Sequence, residues 1–209
     1  MTVVALARDE VVAGRAFCSP SLYERDLSIM AYMLEDLRSF IGAVPFETVS
    51  AGEHRKLEWT VHGLLRRIVV CDARSITTPD VDVCVVGFFG IRRRDVDSTV
   101  LEEVNTELVG EFRNYPGILA YCSIELADGN WANLVVHDRP DARDYWRGSN
   151  RHAEAASVLA PQHYESVRIH NGRIPSGVVG QQSVVLERTK YWDYAEGDLW
   201  KAVRELESA

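Results

Sequence analysis

No stretch of this sequence approaches the ~20 consecutive apolar residues that a bilayer-spanning helix needs. It also lacks a Lys/Arg-rich block: charges of both signs are interspersed and the formal net charge is −8, so neither nucleic acid nor a membrane is an expected partner. The four cysteines, Cys18, Cys71, Cys84 and Cys122, show no CxxC spacing and no clustering with histidine, and no metal site is expected. They read as buried thiols in a reducing compartment. The opening MTVVALARDEVV meets Asp9 and Glu10 too early for a secretory apolar region, and a cytoplasmic location is expected. GxGxxG, P-loop, GxSxG and HExxH patterns are missing, which leaves nucleotide, phosphoryl-transfer, serine-hydrolase and zincin chemistry without local support.

What is present is enough apolar material, 46% of 209 residues, for a proper core. Residues 3–7 and 11–17 each suit a short strand. A helix follows from Ser19 or Ser21 to Gly42, with Leu22, Ile29, Met33, Leu37 and Phe40 or Ile41 at helical spacing. Residues 56–61 and 64–72 read as a hairpin through His62-Gly63 or as one long bent strand. The polar turn-formers of 73–80 mark a boundary, dividing an N-terminal α+β extension (1–80) from a core (81–172) and a tail (173–209).

Within the core the pattern is sharper. VDVCVVGFFGI, 81–91, suits a central strand, and a helix follows with Val100, Val104, Leu108 and Phe112 on one stripe, stopped by Tyr115-Pro116-Gly117. Asp97, Ser98 and Thr99 are candidate N-caps at its start, and Thr99 and Glu102 have capping-box spacing. Strands at 117–125 and 131–137 flank the turn Ala127-Asp128-Gly129-Asn130. A second helix starts at Pro140, carries Ala142, Trp146, Ser149, His152 and Ala156, and stops at Pro161; 163–170 is a last alternating strand. The order is β-α-β-β-α-β, a ferredoxin-like unit in the α+β class. In the tail, 183–189 suits a strand and 198–206 a short helix.

Strands alternate their side chains, so each can be divided into two faces. Ile118, Ala120, Cys122 and Ile124, with Ala132, Leu134 and Val136, make an apolar face expected to carry the two helices. Tyr121, Ser123, Glu125, Trp131, Asn133, His137, Tyr164, Arg168 and His170 are then expected on the opposite side. So much aromatic surface implies a second layer or a ligand cavity over that face.

The βαββαβ order, Tyr115-Pro116-Gly117 leading into a strand, and Trp146-x-x-Ser149-x-x-His152 on the second helix resemble the dimeric α/β-barrel superfamily. Within it the closest resemblance is to antibiotic-biosynthesis-monooxygenase-like proteins. The resemblance covers about 81–172 and implies a barrel closed by a second sheet, from an identical subunit or from the N-terminal half of the chain; a homodimer is favoured. Activities in the superfamily include cofactor-free oxygenation, haem degradation, decarboxylation and isomerisation. Trp131 and Asn133 resemble the indole-plus-polar wall of the cofactor-free oxygenases. The haem-degrading branch places its ligating histidine ten residues after the tryptophan, which here is Ala156.

The expected function is proton transfer or cofactor-free oxygenation of a hydrophobic, aromatic or polyketide-like small molecule. His137, His152 or His170 would be the base and Arg168 the anion stabiliser, unless Glu125 neutralises it. Tyr121, Ser123, Glu125, Trp131, Asn133, Trp146 and Tyr164 would bind substrate. No cofactor is expected; haem is the alternative, held by one of the same histidines, and a non-catalytic ligand-binding or stress-associated barrel is a third reading, favoured by a cavity filled with side chains.

Overall fold

The computed structural model describes residues 2–43, 54–195 and 199–206, the side chains of Ser98, Leu101 and Glu102 excepted. Along the chain run β1 (Val4–Leu6), α1 (Pro20–Ala43), β2 (Arg55–Val61), β3 (Leu64–Val70), α2 (Ala73–Ile76), β4 (Val83–Arg92) and α3 (Ser98–Glu111). Then come β5 (Ile118–Glu125), β6 (Trp131–His137), α4 (Pro140–Arg147), α5 (Asn150–Glu154), a π-helical turn (Ala155–Leu159) and α6 (Ala160–His163). β7 (Tyr164–Ile174), β8 (Val185–Asp193) and β9 (Trp200–Glu205) complete it. Among the described residues no helix is long and apolar enough to cross a membrane.

All nine strands join one sheet, ordered β1-β9-β8-β7-β4-β6-β5-β3-β2. Its centre, β7-β4-β6-β5, is antiparallel throughout and has the ferredoxin-like strand order expected for 81–172. The β2–β3 hairpin extends it beyond β5, turning at His62 and Gly63, whose positive φ angles of 51° and 80° suit a two-residue hairpin turn. On the other side β8, β9 and β1 extend it beyond β7.

The apolar face of this sheet is covered by α1. Met30, Met33, Leu34 and Leu37 recur every three to four residues and are buried against Ile68, Val85, Phe89, Cys122, Leu134 and Val136. Each such side chain contributes about 1.5–3 kcal/mol through burial. α1 lies close because β4 offers Gly87 beneath it: a Cβ there would stand 2.6 Å from Met30 Sδ. This face was expected to carry the two helices of the ferredoxin-like unit; it carries α1, from the N-terminal part of the chain, instead. α3 and α4 to α6 lie on the other side of the sheet, so the helices of the ferredoxin-like unit cover the mixed aromatic and polar face, the reverse of the expected assignment.

α3 is capped by Asp97, one of its candidate N-caps, which accepts from Thr99 N at 2.9 Å. Three local expectations change. Residues 11–17 form turns and a 3₁₀ segment, Ala16–Cys18, rather than a strand. The second helix breaks at Gly148, where Ser149 caps α5 by accepting from His152 N. The expected terminal helix is strand β9: its Arg204 is fully buried and donates to the carbonyls of Ala7, Arg8, Glu10 and Cys18, contacts that override local helix propensity.

Candidate functional site

A cavity of about 440 Å³ lies between the sheet and α3 with α4 to α6. Val86 and Phe88 of β4, with Val167 and Ile169 of β7, line it from the sheet; Trp146, Ala155, Ala156 and Leu159 line it from the helices. The π-helical turn carries three of these wall residues, and such turns frequently mark functional sites.

Toward β5 the lining turns polar. The Tyr121 hydroxyl lies 2.8 Å from Asn105 Oδ1 and 3.0 Å from Asn133 Oδ1. A hydroxyl has one proton, so it donates to one carboxamide oxygen while the other amide turns its NH2 toward it. Burial pushes the phenol up to about 12, so it stays protonated. Ser123 is wholly buried beside Tyr121 and does not line the cavity, and neither does Glu125, which accepts from Leu65 N at 3.2 Å.

His137 closes β6 and lines the cavity, with 1% of its surface exposed and its Nδ1 without a hydrogen-bond partner. Burial, with the charge of Arg143, depresses the imidazole to about 4, so it is neutral at physiological pH. His152 also lines the cavity, half-buried, its ring 5.2 Å from the Trp146 ring; burial and then Arg147 lower its pKa. Trp146 packs in turn on Phe112 and Tyr115, at 5.2 and 4.9 Å. Ser149, between them in sequence, donates to Glu111 Oε2 at 3.0 Å and so ties α5 to α3. The Trp-x-x-Ser-x-x-His spacing thus supplies two wall residues and the cap that holds them.

Of the expected site residues the structure brings Tyr121, Trp131, Asn133, His137, Trp146, His152 and Tyr164 to one cavity. Arg168 and His170 lie on the opposite face, under α1. Their places follow from register: His170 pairs with Gly87 and Arg168 with Phe89, both of which face α1. Tyr164 alternates with them in sequence, yet a register shift at Ile91/Arg92 returns it to the cavity side, where it packs on Phe88 at 5.5 Å. Arg168 is not paired with Glu125. Its Nε and Nη2 donate to Asp26 of α1 at 2.5 and 3.0 Å, and His170 Nε2 lies 2.9 Å from the same carboxylate. Thr189 Oγ1 lies 2.8 Å from His170 Nδ1. Burial alone would raise the Asp26 carboxyl, but hydrogen bonds from His170 and Arg168 hold it below its usual range. Burial lowers His170, so Nε2–H donates to Asp26 and Nδ1 accepts from Thr189.

Several lining residues were missed. Asn105 was open to detection, since it stands three residues before Leu108 and seven before Phe112 on the apolar stripe of α3. Arg143, Arg147, Asn171, Lys190 and Trp192 meet only through tertiary structure. Among the described residues no group of three His, Cys, Asp or Glu is placed to hold a metal ion, and all four cysteines are free.

No protein-family profile and no curated protein matches the chain. Solved structures do show similarity. A protein from Shewanella oneidensis is 14% identical with a TM-score of 0.40, over 45% of this chain and 91% of that one. SnoaB, a cofactor-independent oxygenase from Streptomyces nogalater, is 15% identical with a TM-score of 0.36, over 49% and 95%. LmHde, a heme-degrading enzyme from Listeria monocytogenes, is 15% identical with a TM-score of 0.35, over 60% and 82%.

Proposed function

We propose that this chain is a small-molecule enzyme that takes a flat, hydrophobic substrate between the sheet and α3 with α4 to α6, and removes a proton from it there. The observation that carries this reading is a buried, neutral imidazole, His137, whose Nδ1 has no hydrogen-bond partner, on the wall of a cavity with a mainly apolar middle and polar ends. An imidazole with a free ring nitrogen can accept a proton from a carbon acid. Its low basicity rises as an anion forms beside it, because a neighbouring negative charge favours imidazolium. Tyr121 with Asn105 and Asn133 supplies hydrogen bonds for a substrate carbonyl whose oxygen gains charge on enolisation. The resulting carbanion is electron-rich enough to react with O2 directly, which is the cofactor-free oxygenation expected from the sequence.

A ligand-binding barrel without catalysis was expected to have its cavity filled by side chains, whereas about 440 Å³ stays open here. Haem remains the alternative: the position that the resemblance gives to its ligating histidine is Ala156, which offers only a methyl group, while His137 and His152, two of the three histidines named for that role, line the same cavity.

Anthrone, a flat carbon acid, is a suitable probe. Under argon in D2O the protein is expected to accelerate deuterium incorporation at the anthrone methylene; in air, anthrone and O2 give anthraquinone and water. His137→Asn is expected to abolish the deuterium exchange. Exchange no faster than in buffer, or unchanged in His137→Asn, defeats the proposal.

A further inference from the structure

The end of the cavity toward β8 differs from the rest. Lys190 of β8, with Arg143 and Arg147 of α4, lines it beside Asn171 of β7. One carboxylate serves this group, Asp144, which lies 3.3 Å from Arg143 and 3.6 Å from Arg147. Arg188, the next basic residue on β8, is already paired with Glu205 at 2.7 Å. Three cations therefore share one carboxylate, in a chain whose overall charge is −8. No ion pair engages Lys190 among the described residues. Asn171 adds a neutral donor: its Oδ1 accepts from Arg143 Nη1 at 3.3 Å while its Nδ2, buried, has no acceptor. Burial, then the charges of Arg147, Arg143 and Arg188, push the Lys190 ammonium down, with Asp144 opposing. Unbalanced positive charge and an orphaned amide donor on one cavity wall are the features of an anion-binding subsite.

We propose that Lys190, Arg143, Arg147 and the Asn171 amide bind a carboxylate of the substrate, so that the ligand class is a flat hydrophobic acid. This rests on the cavity being the substrate site.

The register also gives the ligand's reach. Asn133, Phe88, Ile169 and Lys190 are successive partners across β6, β4, β7 and β8. Three inter-strand steps at about 4.8 Å separate the Asn133 and Lys190 backbones by about 14 Å. Phe88 and Ile169 lie between them, an apolar bed for a ring system that has its carbonyl at Asn133 and Tyr121 and its carboxylate at Lys190.

Isothermal titration calorimetry with anthracene-2-carboxylate and its neutral counterpart, anthracene-2-carboxamide, tests this on the whole protein. The carboxylate is expected to bind at least tenfold more tightly, with the margin shrinking as salt rises. Lys190→Met is expected to bring the two affinities together without weakening the carboxamide, and Arg147→Gln to narrow the gap. Arg188→Gln, removing a charge that does not line the cavity, is expected to preserve it. Equal affinities in the unaltered protein overturn the anion subsite and leave the cavity as a binding site. Failure of both compounds to bind overturns both.

Discussion

Replacing Asp26 by asparagine separates the two faces of the sheet. The Asp26 carboxylate is 1% exposed and holds Arg168 through two hydrogen bonds and His170 through a third. Removing one partner of a buried ion pair leaves the other charge uncompensated and costs about 3–5 kcal/mol. For a chain of this length about 2–4 °C of melting temperature is lost per kcal/mol, so the midpoint should fall by roughly 6–20 °C. Removing both charges, in Asp26→Leu with Arg168→Met, should recover most of this, less about 1–3 kcal/mol for the hydrogen bond His170 then lacks. Differential scanning calorimetry gives the midpoints, and titration of Asp26→Asn with anthrone well below its midpoint should show unaltered affinity. A midpoint shift under about 3 °C, or lost anthrone binding with an unchanged midpoint, would refute the assignment of Asp26, Arg168 and His170 to architecture.

Tyr121→Phe removes the hydroxyl shared by Asn105 and Asn133 and should cost about 1–3 kcal/mol in urea unfolding, together with slower deuterium exchange into anthrone; full activity would show that the cluster does not touch substrate. His137 titrates near 6.5 in the unfolded chain and near 4 in the folded one, so the unfolded state binds the extra proton between them. Stability should therefore fall by up to about 3 kcal/mol as pH drops from 6.5 to 4, and His137→Asn should flatten that slope in pH-dependent chemical denaturation. Gly87→Ala brings a methyl against Met30 and should cost about 1–3 kcal/mol, partly relieved by Met30→Ala in the same chain, as thermal melts would reveal.

The ferredoxin-like centre was legible because its signals are local. Tyr115-Pro116-Gly117 ends a helix by backbone chemistry alone, and Asp128-Gly129-Asn130 specifies its turn, with Gly129 at φ 76°. Alternation within β5 and β6 correctly grouped Tyr121, Trp131, Asn133 and His137. It failed for β7, because a strand's own sequence does not say which set faces which layer. His170 and Arg168 are polar and were grouped with the polar face, yet a single buried carboxylate on α1 satisfies both. Asp26 stands one turn before Met30 on the buried stripe of α1, and a charged residue there was the one available sign of that pairing. The cation cluster had no such sign: Arg143 and Arg147 lie one turn apart on α4, but Lys190 is more than forty residues further on, and its meeting with them depends on β8 pairing with β7. The helix expected at 198–206 failed for a similar reason, its Arg204 being committed to carbonyls almost two hundred residues earlier.

That ligands enter between the sheet and α3 with α4 to α6, and not on the α1 face, is open to direct view. A crystal structure of the protein with anthracene-2-carboxylate should show the ring system lying on Phe88 and Ile169 beneath Trp146 and Leu159, with its carboxylate at Lys190. A ligand bound elsewhere, or α4 to α6 collapsed onto the sheet with no space between them, would contradict it.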